Sequence, residues 1–167
     1  MENHIRSTTR PIEFTKHENA MKKTILYRLF GFGSIPKKWL PTLQEEGIVV
    51  SDEGISGWLI MKNVRGPGKR YIQRAEGFSG CLVITKKRVL GFTYWKRQIN
   101  IAIDNPKICQ LIFNCQNNEM LSICFESSVF REGWEGEIEF RFKTKKARQF
   151  CDSLKSIGAQ QVIADEC

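Results

Sequence analysis

At 167 residues, with 41% hydrophobic and 26% charged side chains, the chain is long enough to bury a core unaided and too apolar for wholesale disorder. Its longest apolar runs are strand-sized, far short of the roughly 20 residues that a spanning helix needs, and the polar N-terminus that holds His4 and His17 does not read as a secretory signal. The net charge of +8 is uneven: residues 48–100 carry 10 basic and 3 acidic side chains, residues 1–47 carry 8 and 5, and residues 101–167 carry 8 and 10. A basic central third suggests an acidic partner, or a solvated surface that keeps the chain in solution.

The first 20 residues have no periodicity and are expected to be disordered. Met21, Ile25, Leu26, Leu29 and Phe30 then share one helical face, with Lys22, Lys23 and Arg28 off it and Gly31 and Gly33 as the stop. Such a basic amphipathic helix packs on its own domain or lies on a membrane. A second short helix is expected around Trp39–Glu46, with Pro41 in its first turn and Gly47 at its end.

After Gly47 the period changes to 2. Short strands are predicted at Ile55–Val64, Arg70–Ala75, Cys81–Thr85, Arg88–Tyr94, Arg97–Ile103, Lys107–Phe113, Met120–Phe125 and Gly136–Phe142, with turn residues between them. Ile99, Ile101 and Ile103 oppose Gln98, Asn100 and Ala102, and Ile138, Phe140 and Phe142 oppose Glu137, Glu139 and Arg141, the pattern of antiparallel strands with one wet face. A final helix is expected from an N-cap at Thr144 to Gly158, with Ala147, Phe150, Cys151, Leu154 and Ile157 as its buried stripe. A mainly β fold follows: an antiparallel barrel of seven to eight strands closed by a C-terminal α-helix. The division expected is an N-terminal extension over 1–47, the barrel over 48–158 and a tail over 159–167.

Cys81, Cys109, Cys115, Cys124, Cys151 and Cys167 include no Cys-x-x-Cys, and four of them sit in apolar patterns, so six reduced thiols and a cytoplasmic location are expected.

Two stretches resemble a known family. GCLVITKKRVLGF (80–92) is similar to a strand pair of GRAM domains, and IEFRFKTKKARQFCDSL (138–154) resembles the last strand and closing helix of the pleckstrin-homology superfamily to which those domains belong. The likeness covers about residues 48–158. It implies a PH-like barrel that binds lipid headgroups or proteins, peripheral to a membrane where the ligand is a lipid. In members that bind phosphoinositides, the first hairpin holds a lysine at the end of strand one and a Lys/Arg-x-Arg pair in strand two. Here that region reads KNVRGPGKRYIQR, with Lys62, Arg65, Lys69, Arg70 and Arg74; Lys69 and Arg70 are adjacent, so the spacing differs.

The chemistry for catalysis is sparse. Both histidines lie in the aperiodic N-terminus, no phosphate-binding or dinucleotide fingerprint occurs, and Glu132, Glu135, Glu137 and Glu139 read as a solvated face. No enzyme activity, metal or cofactor is expected. An anion site is expected instead, from two turns brought to one rim: Lys62, Arg65, Lys69, Arg70 and Arg74 around Gly66-Pro67-Gly68, and Lys86, Lys87 and Arg88. Its partner would be an anionic membrane lipid or an acidic protein surface. Phe130 and Trp134 either stand exposed for such a partner or fold over the barrel mouth. The alternatives are a basic barrel that stacks single-stranded nucleic acid on Tyr71, Phe92, Tyr94 and Trp95, and a protein-interaction or oligomerisation module with incidental charge.

Overall fold

A computed structural model of the chain describes residues 23–162. The aperiodic start with both histidines, Met21 of the first helix, and Cys167 lie outside that range. The fold is mainly β, with three short helices, α1 (Ile25–Phe30), α2 (Leu40–Glu46) and α3 (Ala147–Ser156). The strands are β1 (Ile48–Gly66), β2 (Lys69–Thr85), β3 (Arg88–Thr93), β4 (Lys96–Ala102), β5 (Ile112–Asn117), β6 (Met120–Glu126), β7 (Glu135–Lys143) and β8 (Gln160–Gln161). No helix among the described residues is long and apolar enough to cross a membrane.

All eight strands belong to one sheet, in the order β4-β3-β2-β1-β7-β6-β5-β8. The closed antiparallel barrel expected from the sequence is therefore corrected to a curled, open sheet, a half-barrel with β4 and β8 as its edges. The sheet is also mixed, because β8 runs parallel to β5. Curling follows from the two long strands. β1 pairs with β2 from Ile48 to Gly66 and with β7 from Ser56 to Arg65, so it serves both halves of the sheet.

The predicted break at Gly77-Phe78-Ser79-Gly80 does not interrupt β2. Gly80 makes room for a close approach inside the sheet: a Cβ there would overlap the Phe92 carbonyl. Where a strand was expected over Lys107–Phe113, Pro106 starts a 3-10 turn that ends at Gln110, and β5 begins two residues later.

The concave face holds the main core. Ile99 and Ile101 of β4 and Ile138, Phe140 and Phe142 of β7 point into it, as the alternation predicted. From α3, Ala147, Phe150, Cys151 and Leu154 are buried against it, with Ile157 partly so. The N-terminal segment forms a second layer on the opposite face. Ile35 and Leu43 pack there with Cys81, Val83, Leu90 and Phe92 of β2 and β3, flanked by Trp39 and Leu40. Residues 35–46 thus cover the sheet, and the expected tail supplies buried Ala159 and strand β8.

The thiol expectation is corrected in two respects. Cys115 of β5 and Cys151 of α3 are joined as a disulfide with Cα atoms 6.6 Å apart, within the range such bridges span. Strand periodicity could not reveal the pair, because it depends on how α3 seats against β5. Cys109 is exposed on the 3-10 turn, whereas Cys81 and Cys124 are buried and in no disulfide. The bridge removes the support that reduced thiols lent to a cytoplasmic location.

Candidate anion-binding site

The two basic turns proposed as one rim stand at opposite ends of β2. Lys69 and Arg70 open that strand and Lys86-Lys87 follow its end, where the Lys86 N–H donates to the Gly47 carbonyl (3.0 Å). The second turn also has structural work. The buried Glu46 carboxylate accepts from Thr85 Oγ1 (2.9 Å) and pairs with Arg88 (2.6 Å), whose guanidinium lies 5.9 Å from the Trp39 ring centre. Arg88 is thereby tied to α2.

Within the first group the roles divide. Lys62 pairs with Glu137 at 2.7 Å, and the hydrogen bond to that carboxylate raises its ammonium pKa. Arg65 and Arg70 face each other across the hairpin and are exposed. Lys69 and Arg74 line a cavity of about 240 Å³ at the hairpin end of the sheet. Arg74 pairs with Glu76 and stacks over Tyr71, 5.1 Å from its ring centre.

Other elements complete this cavity. Lys96 and Gln98 come from β4, and Arg131 and Trp134 from the loop between β6 and β7. Arg131 donates to Gln98 Oε1 (3.0 Å) and lies over the Trp134 ring (5.0 Å). That loop folds back over the mouth: Phe130 packs edge-on to Phe125 at 4.7 Å, and Trp134 lies so close over Gly66 that any Cβ there would overlap it. The floor includes Ser127, fully buried, whose hydroxyl has no hydrogen-bond partner among the described residues. A buried hydroxyl without a partner costs free energy unless something polar reaches it.

Four cations thus converge on one wall of side chains, Lys69, Arg74, Lys96 and Arg131, against the single carboxylate of Glu76. Lys69 and Lys96 form no ion pair among the described residues. Such a set suits a multiply charged oxyanion, with arginine and tyrosine planes beside it and ammonium groups free to turn toward it.

Sequence reasoning missed Lys96, Gln98, Ser127 and Arg131 as partners of the hairpin. One signal was present, since Arg131 is the only basic residue between Lys107 and Arg141. It did not say which turn lies opposite. Glu139, read as solvated, is fully buried: it accepts from Arg141 Nε (2.6 Å) and Ser122 Oγ (3.1 Å), on the side of β7 away from the core. No family model matches the chain, and no curated protein matches it significantly.

Proposed function

We propose that this chain is a non-catalytic binding module of the pleckstrin-homology type, and that its cation-lined cavity takes a phosphate-bearing anion such as a phospholipid headgroup. Seven antiparallel strands followed by a helix on the core support the family reading, although the sheet is open. The observation that carries the ligand class is that Lys69, Arg74, Lys96 and Arg131 line one cavity whose lining holds a single carboxylate, Glu76. Hydrogen bonds from charged donors to phosphate are the strong kind, and a half-enclosed site screens them less than open water does.

Calorimetric titration of the full chain with soluble inositol trisphosphate tests this reading. Binding is expected at low salt and should weaken as salt rises. The Lys69→Ala/Lys96→Ala variant should lose about tenfold or more, since each charge-assisted bond contributes roughly 1.5–3 kcal/mol. Absence of binding by the wild type, or equal binding by the variant, would remove the proposal.

A further inference from the structure

We propose that α1 and the β3–β4 turn form an apolar knob that enters the interface of an anionic lipid bilayer. The knob shares no lining residue with the cation-lined cavity, so it goes beyond the headgroup reading and does not require it.

The first observation is that α1 sits the wrong way round for a helix of a soluble domain. Its polar side is anchored. The Thr24 hydroxyl is hydrogen-bonded to that of Ser79 (2.6 Å), the Thr24 N–H donates to the Gly54 carbonyl (3.0 Å), and the Tyr27 ring covers Gly54. Gly54 has φ +65° and a Cβ there would overlap that ring, so only glycine fits. The apolar stripe that the sequence marks for burial faces outward instead: Ile25 is 72% exposed, Leu29 69% and Phe30 64%.

The second observation is continuity. The Phe32 ring lies 5.9 Å from Phe30 and 4.2 Å from Trp95, itself 59% exposed at the tip of the β3–β4 turn. The Gly33 N–H donates to the Tyr94 carbonyl (3.3 Å) and Ser79 Oγ donates to the Phe32 carbonyl (2.8 Å), fixing helix and turn to one frame. Beside them an open cavity of about 370 Å³ is lined by Leu26, Trp58, Tyr94 and Met120, with Arg141 and Lys143 among its walls. Contiguous exposed apolar surface of this kind marks a contact site, unlike scattered single side chains.

Charge selects the occupant. The cations beside the knob are Arg28 on α1 and Lys96 and Arg97 at the start of β4, while Lys23 is paired with Asp52. Arg28 interrupts the apolar helix, and Lys96 and Arg97 follow Trp95 directly. Long basic side chains can extend to phosphates while their neighbours enter the acyl boundary, and tryptophan favours that depth. The surface is a projecting helix and turn tip, which suits a deformable sheet of negative charge and not a groove-seeking peptide.

The test uses the full chain with phosphatidylcholine vesicles containing phosphatidylserine, and phosphatidylcholine vesicles alone. Wild type should partition onto the anionic vesicles, and brominated lipid should quench its tryptophan fluorescence, less so in Trp95→Phe. Leu29→Glu should lower partitioning at least about tenfold, since it removes one buried apolar side chain and adds a repelled charge. Leu29→Ser, which adds no charge, should lower it in the same direction at high salt. Both changes fall on an exposed residue, and unchanged circular dichroism checks the fold. Inositol trisphosphate titration should be unaffected by either, so loss of that titration with Leu29-dependent partitioning intact would sink the cavity reading alone. Three results would overturn the knob: wild-type partitioning by both Leu29 variants, no quenching by brominated lipid, or a stable dimer that Leu29→Glu dissociates with no effect on vesicles.

Discussion

Glu139 illustrates how one residue departs from its sequence pattern. Alternation along β7 places it on the face away from the core, and it does lie there, yet it is fully buried because Arg141 and Ser122 close over it from either side and Lys62 stands 4.0 Å away. Glu139→Ala should destabilise the fold by roughly 1–3 kcal/mol in urea denaturation, because Arg141 and Ser122 lose a charged partner while Arg141 still reaches water. Glu139→Gln should cost less, since it can still accept from Ser122. Lys62 carries a sign that alkaline titration can check. Its pKa is raised above the ordinary 10.5, first by its hydrogen bond to Glu137. Its contribution to stability is therefore fully present below about 10.5 and is lost as pH rises through the raised value. The stability difference between wild type and Lys62→Met should be constant through neutral pH and shrink only above that window; shrinkage near neutrality would contradict the pairing.

Elements were legible in proportion to how local their cause is. The α3 stripe, the strands carrying Ile99 and Ile101 or Ile138, Phe140 and Phe142, and the stop at Gly158 all follow from spacing within one segment. Truncating Leu154, fully buried on α3, to Ala should destabilise by roughly 2–5 kcal/mol. What spacing could not reveal is what each segment meets. Gly77 and Gly80 read as a turn because glycine usually marks one, whereas here β2 runs through both, and Gly80 leaves room for the Phe78 ring and for the Phe92 carbonyl of the neighbouring β3. Tyr27 decides which side of α1 faces inward, through a glycine 27 residues later. The Cys115–Cys151 bridge depends likewise on α3 seating against β5. That bridge spans 36 residues, and loop closure predicts roughly 4 kcal/mol of stabilisation. Reductant should accordingly lower the melting temperature; an unchanged transition, with both thiols alkylated under native conditions, would mean that the sulfurs are not bonded.

Over the whole molecule, the open question is whether the basic excess acts as a field or at a place. Topology makes the question answerable, because the two lysine-rich groups that the sequence seemed to unite lie at opposite ends of β2. Reversing Lys69 and Lys96 to Glu changes the net charge from +8 to +4, and reversing Lys86 and Lys87 changes it by the same amount. Any attraction that depends on total charge falls equally in the two variants, and at physiological salt such attraction fades over about 8 Å. A located site responds unequally. Lys69 and Lys96 line the cavity with Arg74 and Arg131, whereas the Lys86-Lys87 turn sits where Glu46 already holds Arg88. Retention on vesicles containing phosphatidylinositol phosphate, compared at matched ionic strength, is therefore expected to drop about tenfold or more for the Lys69/Lys96 reversal, since each cation near such a surface contributes about 1 kcal/mol. The Lys86/Lys87 reversal should stay near wild type. Equal losses would show a diffuse field and no site. A single-stranded oligonucleotide separates the remaining alternative, because base stacking would need the exposed Tyr94 and Trp95 as well as cations. Tyr94→Ala/Trp95→Ala should therefore abolish oligonucleotide retention if that reading holds, and leave inositol trisphosphate titration unchanged if the cavity is the site.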